Sequence, residues 1–287
     1  MIDKFVSKSD IPKTRKAGNG IREEPFIDAE VRASFSFASD AVKKAWDHPV
    51  IYRWNSHGYR CAEFSQPGKL SVLTIGCSWA MGSGLNEEDT FAHMLCKRLH
   101  DFFSVPVSNW NLGFGGKSND YIARTLCAAV PILRPDFVFV NFTHFGRREY
   151  FTSDGRCFDF QHNQLDLEKQ GIIKWTMVNR EIVKNMVGLT SQFDDNMNFY
   201  KNYQLIELLL QNYNIPWFYS ATSPSMIIPL IDFLDADRFL GFGLELIDTA
   251  HDESHPGPES NHFFADRLFA RVLKSFGAEL SAKLNPA

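Results

Sequence analysis

The 287-residue sequence has no apolar run near the roughly 20 residues that a membrane-crossing helix needs. Its opening, MIDKFVSKSDIPKTRK, lacks the apolar core of a secretory signal. The expectation is therefore a cytoplasmic protein, or a component of an assembly made inside the cell. Cysteines are few: Cys61, Cys77, Cys96, Cys127 and Cys157. Their number is odd and no C-x-x-C pair occurs, which argues against a disulfide framework and a zinc site. A reducing compartment is the simpler expectation. Positive charge is not in excess: 30 Lys and Arg stand against 34 Asp and Glu, a formal net charge of −4. That balance gives no electrostatic case for binding nucleic acid. Internal repeats and low-complexity tracts are also missing.

What remains is an ordinary globular composition, 44% hydrophobic and 22% charged, in a chain long enough to bury a sizeable core. Twenty-six Phe residues predict an aromatic-rich core or groove.

Residues 1–30 are polar and read as an extended or mobile arm. A short helix is expected within 31–47, followed by an aromatic, turn-rich segment that packs across the body. From residue 70 the pattern alternates. LSVLTIG (70–76) reads as a buried strand and residues 86–103 as a helix with Phe91, Leu95 and Leu99 on one face. A second strand is expected at 105–113 and a third at 135–143. Between them lies a helix at 118–133, capped by Ser118 or Asn119. Residues 147–197 break the rhythm and read as an insertion, helical in part around WTMVNREIVKNMV. A helix at 198–213, a strand at 215–222 and a final helix at 258–280 follow, with Pro258 near the last helix start. This order predicts a mainly parallel sheet with helices on both faces. The expected division is an N-terminal arm and packing segment over 1–68, then an α/β/α domain over 69–287 with the insertion at about 147–197.

In such sheets ligands bind beyond the carboxyl ends of the strands. Three strand ends matter: GCSWAMG, NLGFGGKSN and NFTHFGRRE. The first presents a hydroxyl, the second glycines whose backbone can approach a ligand. A hydroxyl nucleophile needs a base held by a third group. DTAHDESHPGPESNH offers two D-x-x-H units, Asp248/His251 and Asp252/His255. The second is favoured, because Pro256 and the final helix follow it directly. His262 is expected at the start of that helix. Arg147 and Arg148 read as a solvated loop, with contact to an anionic substrate as the alternative.

These blocks resemble the SGNH, or GDSL-type, hydrolases. Gly76-Cys77-Ser78 with Gly82 stands for the first block, Asn111-Leu112-Gly113-Phe114-Gly115-Gly116 for the second, and Asp252-Glu253-Ser254-His255-Pro256 for the last. NSHGYR (55–60) resembles a lead-in of some members. The resemblance implies a flavodoxin-like three-layer α/β/α fold without cofactor or metal. It implies Ser78 as nucleophile, His255 as general base and then acid, and Asp252 as its orienting carboxylate. The N–H groups of Ser78 and Gly116 would form most of the oxyanion hole. Two departures stand out. Cys77 replaces the usual Asp, and a buried, inert thiol is expected there. Phe145 falls where the third oxyanion donor, an Asn, belongs; Thr143 or His144 would take over if the loop shifts.

The implied function is hydrolysis of a small acyl ester, such as an O-acetyl group on carbohydrate. Two alternatives stay open. One is a catalytically weakened carbohydrate-binding or assembly protein that docks a protein partner through the N-terminal arm. The other is acyl transfer by the same residues. Neither a nucleic acid nor a membrane span is expected.

Overall fold

The computed structural model describes residues 10–26, 49–65, 67–153, 157–161 and 177–284. The helix expected within 31–47 lies outside them. Strands β1 (Arg22–Pro25) and β2 (Ile51–Trp54) form an antiparallel pair ahead of the main sheet. Residues 10–18 run beside them and are bonded down at several points. The Tyr59 hydroxyl donates to the Pro12 carbonyl at 2.8 Å, Thr14 Oγ1 donates to the Gly58 carbonyl at 2.7 Å, and the Thr14 N–H to the His57 carbonyl at 2.9 Å.

The main sheet contains β3 (Leu70–Gly76), β4 (Val107–Asn111), β5 (Phe137–Phe142) and β8 (Trp217–Ala221), in the order β4-β3-β5-β8. All neighbours are parallel. β3, β5 and β8 are buried along their whole length, which is why they read as unbroken apolar runs. Each parallel return needs a crossover, and helices supply it. One face is covered by α3 (Asn119–Leu133) and α5 (Gln192–Asn212). There Ile122, Leu126, Phe199 and Tyr203 share a cluster with Leu73, Ile75, Val140 and Tyr219. The other face is covered by α2 (Phe91–Phe103) and α6 (Pro258–Leu284). There Phe91, Leu95, Phe264 and Leu268 meet Val72, Phe137, Phe139 and Phe218. Full burial of such side chains contributes about 1.5–3 kcal/mol each. The chain is thus a three-layer α/β/α protein with a parallel sheet.

Several boundaries differ from the sequence expectation, for local reasons. The helix expected from residue 86 begins as a 3-10 turn at Glu87–Asp89, and α2 starts only after Thr90. The Thr90 hydroxyl accepts from the His93 N–H at 3.3 Å and so fixes the boundary. α3 is capped by Ser118, whose hydroxyl accepts from the Tyr121 N–H at 3.3 Å. α5 begins six residues earlier than expected, because Ser191 caps it and Asp194 and Asp195 sit favourably in its first turn. The segment after β5 contains an antiparallel pair that was not expected, β6 (Arg148–Phe151) and β7 (Cys157–Phe160), and then α4 (Met177–Leu189).

Sheet order places β3 between β4 and β5, with successive crossovers leaving it on opposite sides. The crevice at the carboxyl ends of β3 and β5 is therefore the topological switch point. Ser78 lies there, one turn beyond β3.

Candidate active site

The segment after β3 is built tightly. A short helix, α1 (Ser78–Met81), folds back against the strand it leaves. A Cβ on Gly76 would sit 2.8 Å from the Ala80 Cβ and 2.7 Å from the Asn141 carbonyl oxygen, so only glycine fits. Gly82 ends the helix with φ 75°, a conformation that costs glycine little. The side chain of Arg60, from NSHGYR, receives the helix's terminal carbonyls. Its guanidinium donates to Met81 O at 3.0 Å, Gly82 O at 2.6 Å and Leu85 O at 2.8 Å. It also lies 3.8 Å over the Tyr52 ring. Arg60 is only 2% exposed. It closes the carboxyl end of the turn that carries Ser78, and nothing in the helix pattern of residues 78–81 announces it.

The second turn comes alongside from β4. The Asn111 side chain donates to Ala80 O at 2.7 Å and accepts from the Gly113 N–H at 2.9 Å, tying this turn to α1. A Cβ on Gly113 would lie 2.7 Å from the Met81 nitrogen, so the loop must pass α1 as glycine. Gly115 runs beside the serine: a Cβ there would be 4.0 Å from the Ser78 Cβ. Gly116 follows with φ 76° and open space over its Cα. Neither the Ser78 N–H nor the Gly116 N–H donates to a protein group among the described residues.

The third part arrives from far along the chain. His255 Nε2 is 2.8 Å from Ser78 Oγ across 177 residues of sequence. His255 Nδ1 is 2.5 Å from Asp252 Oδ2. The other Asp252 oxygen accepts the N–H groups of Ser254 at 3.1 Å and His255 at 3.0 Å. Burial pushes the Asp252 carboxyl up, but the hydrogen bond and charge of His255 with those two N–H donors outweigh it, and the net shift is down. The D-x-x-H spacing works through a reversing loop, 248–257. It is closed by Ala250 N–H to His255 O at 2.8 Å and Gly257 N–H to Asp248 O at 3.1 Å, with Glu253 left-handed at φ 57°. The structure thus brings Ser78, His255 and Asp252 into one hydrogen-bonded chain.

Asp248 and His251 are not joined. Asp248 accepts from the N–H groups of Glu259 and Ser260 at 3.0 and 2.9 Å and caps α6. The His251 ring meets Phe26 edge-on at 6.2 Å. His262 sits in the first turns of α6 with Nδ1 3.3 Å from an Arg98 nitrogen.

The end of β5 departs most from the expected pattern. Phe145 is buried and stacks on Phe199 at 3.9 Å, so the core uses its ring. Thr143 is fully buried; its backbone pairs with the Asn119 amide at 3.0 and 3.2 Å, and its hydroxyl accepts from Arg147 at 2.9 Å. His144 makes no side-chain hydrogen bond among the described residues. Burial, and then the Arg147 charge, push its ring pKa down. Arg147 and Arg148 are not a solvated pair. Arg148 is buried against Asp194 and Asp195 at 2.6 and 2.9 Å. Arg147 acts on Cys77: burial pushes that thiol up, but Arg147, the Trp79 N–H and the Thr143 and Thr222 hydroxyls bring it below its ordinary value. Cys77 is buried as expected, but its electropositive setting and lowered thiol run against the expectation that it is inert.

A metal has one candidate cluster among the described residues, Glu149, Cys157 and Asp159. Its carboxylates already hold cations: Arg124 grips Glu149 at 2.7 and 2.8 Å, and Lys117 meets Asp159 at 2.7 Å. The donor set reads as an ion-pair network.

No family model and no curated protein matches the sequence. Solved structures do resemble it. The psychrotrophic esterase EstA from Pseudoalteromonas sp. is 13% identical over 72% of this chain and 98% of its own, with a TM-score of 0.43. TesA is 13% identical over 70% and 97%, with a TM-score of 0.44. An acetylxylan esterase from Geobacillus stearothermophilus is 11% identical over 72% and 95%, with a TM-score of 0.34. Likeness at this level says nothing of chemistry, which the site geometry must carry alone.

Proposed function

We propose that the chain is a serine ester hydrolase with Ser78, His255 and Asp252 as its catalytic residues. The carrying observation is the Ser78–His255–Asp252 hydrogen-bonded chain. Ser78 Oγ adds to the ester carbonyl carbon as its proton passes to His255 Nε2. Asp252 holds the ring through Nδ1 and stabilises the imidazolium that forms. Negative charge gathers on the carbonyl oxygen, where the N–H groups of Ser78 and Gly116 receive it. Collapse breaks the bond to the alcohol, which leaves with the proton from His255. Water, deprotonated by His255, then releases the acid from the acyl-enzyme and restores Ser78.

Small acyl esters, O-acetyl groups on carbohydrate first, are the substrates to test. The hole has two backbone donors and no assigned third; Thr143 spends its oxygen on Arg147 and Phe145 belongs to the core. One missing donor costs about 100- to 1,000-fold in rate, so slow turnover is expected. The intact Ser78–His255 contact favours this reading over a binding-only protein. The test is labelling by a fluorophosphonate probe. The reading expects labelling of wild type that Ser78→Ala and His255→Ala both abolish. A folded wild type that never labels would sink it.

A further inference from the structure

A cavity of about 420 Å³ opens at Gly115 and Gly116. That is the size of a small-molecule site, which spans about 300–1,000 Å³. Ser78 and His255 are not in its lining, but a Cβ on Gly115 would lie 4.0 Å from the Ser78 Cβ, so the cavity borders the turn that carries the serine. Its floor includes Phe114 and Tyr121, and its wall carries four cations, Lys13, Arg15, Lys117 and Arg124, against two carboxylates, Glu149 and Asp159. The whole chain is net negative, so this wall reverses the global sign.

The two carboxylates are consumed within the wall. Arg124 is held by Glu149 through two bonds, and Lys117 by Asp159. Lys13 and Arg15 form no ion pair among the described residues. Both belong to the segment bonded down through Pro12 and Thr14, so their backbones are fixed at the cavity edge. The Arg15 guanidinium lies 5.7 Å over the Phe114 ring, next to the Gly115 turn. Both side chains are exposed, and Lys13 lies within the field of the Asp10 carboxylate, but no ion pair among the described residues holds either one, so their charge is left to focus on whatever enters the concave wall. Arginine in particular suits planar carboxylate and tetrahedral oxyanions.

Resting on the hydrolase reading, we propose that this cavity is a subsite for an anionic group carried by the ester substrate, with Lys13 and Arg15 as its recognition residues. The substrate class is an acylated acidic saccharide rather than a neutral one. Residues 10–18 therefore serve as one wall of the substrate site.

The test measures binding to the Ser78→Ala protein by calorimetry, with an O-acetylated oligogalacturonide and a neutral O-acetylated xylo-oligosaccharide of the same length. The acidic ligand is expected to bind at least ten-fold more tightly at low salt, and this preference should shrink as salt rises. Adding Lys13→Gln and Arg15→Gln should erase it. Exchanging the two residues conservatively, Lys13→Arg with Arg15→Lys, should keep most of it and so separate charge from mere docking of the segment. Equal affinity for the two ligands overturns the proposal, and so does a preference that survives the Gln substitutions. Fluorophosphonate labelling of wild type is read separately. A protein that prefers the acidic ligand but never labels loses the hydrolase reading and keeps the subsite.

Discussion

Two D-x-x-H units lie four residues apart, and the structure gives them unrelated work. In Asp252/His255 the carboxylate turns back onto its own histidine, and the ring reaches Ser78. In Asp248/His251 the carboxylate leaves its histidine to cap α6, and the ring packs against Phe26. Spacing alone does not decide this. The loop 248–257 reverses, and its two limbs bond through Ala250 N–H to His255 O and Gly257 N–H to Asp248 O. Asp248 stands on the limb facing the helix start, where a Cβ on Gly257 would collide with its carboxylate at 2.4 Å. Asp252 stands at the tip, beside the left-handed Glu253. Position in the reversal assigns one carboxylate to folding and the other to the ring that meets the serine.

The sharpest way to break this contrast is to remove each histidine. His255→Ala is expected to lower kcat/KM on an acetyl ester by about 10⁴-fold or more, the cost of losing a triad member. His251→Ala should change it by less than about three-fold, since its ring packs edge-on against Phe26 rather than standing between Asp252 and Ser78. A large loss with His251→Ala would dissolve the distinction. Next in size is Asp252→Asn, expected to cost about 10³- to 10⁴-fold in kcat while the protein stays folded, because the ring keeps its place and loses its orienting charge. An unchanged kcat would remove Asp252 from the mechanism.

The residues themselves explain what could be read in advance. β3, β5 and β8 are legible because parallel strands buried on both faces must be apolar throughout. Ser78 and Asp252/His255 could be singled out only through the family resemblance of their turns taken together, because spacing alone offers two D-x-x-H units and a common glycine-serine turn; the part given to Gly116 rests on that resemblance. Arg60 is not, since its partners are carbonyls at the end of α1 and in the turn after it, and a carbonyl leaves no trace in sequence. Phe145 is legible only as a departure; its stacking on Phe199 depends on α5 crossing from 54 residues away. The β6–β7 pair is not legible because its strands, REYF and CFDF, are only four residues long and each is interrupted by charge. Their ion pairs to Lys117 and Arg124 join segments that only the fold brings together.

Asp248 sharpens the same contrast from the folding side. Asp248→Ala removes the acceptor of two N–H groups at the start of α6 and is expected to lower stability by about 1–2 kcal/mol. Urea denaturation would measure it. Fluorophosphonate labelling of the folded fraction should stay at the wild-type rate. A catalytic loss with unchanged stability would assign Asp248 to the wrong side of the comparison.

The smallest expected effect is the dependence of stability on acid. The Asp252 carboxyl is shifted down because burial, which opposes ionisation, is outweighed by the bond from His255 and by two backbone N–H groups. A carboxylate depressed in the folded state stabilises it fully above the unfolded value, near 3.8. That contribution fades as pH falls through the lower folded value, because the folded state must then take up a proton it resists. Wild type should therefore exceed Asp252→Asn in urea midpoint at pH 5–6, and the two curves should converge below about pH 4. The side chain is only 7% exposed, so solvent screening does little to blunt the difference. A gap that stays constant down to pH 3 would mean that the substitution acts through packing or lost hydrogen bonds. In that case the charge of Asp252 would matter to the serine's chemistry alone, and the two carboxylates of the loop would differ less in folding than their geometry implies.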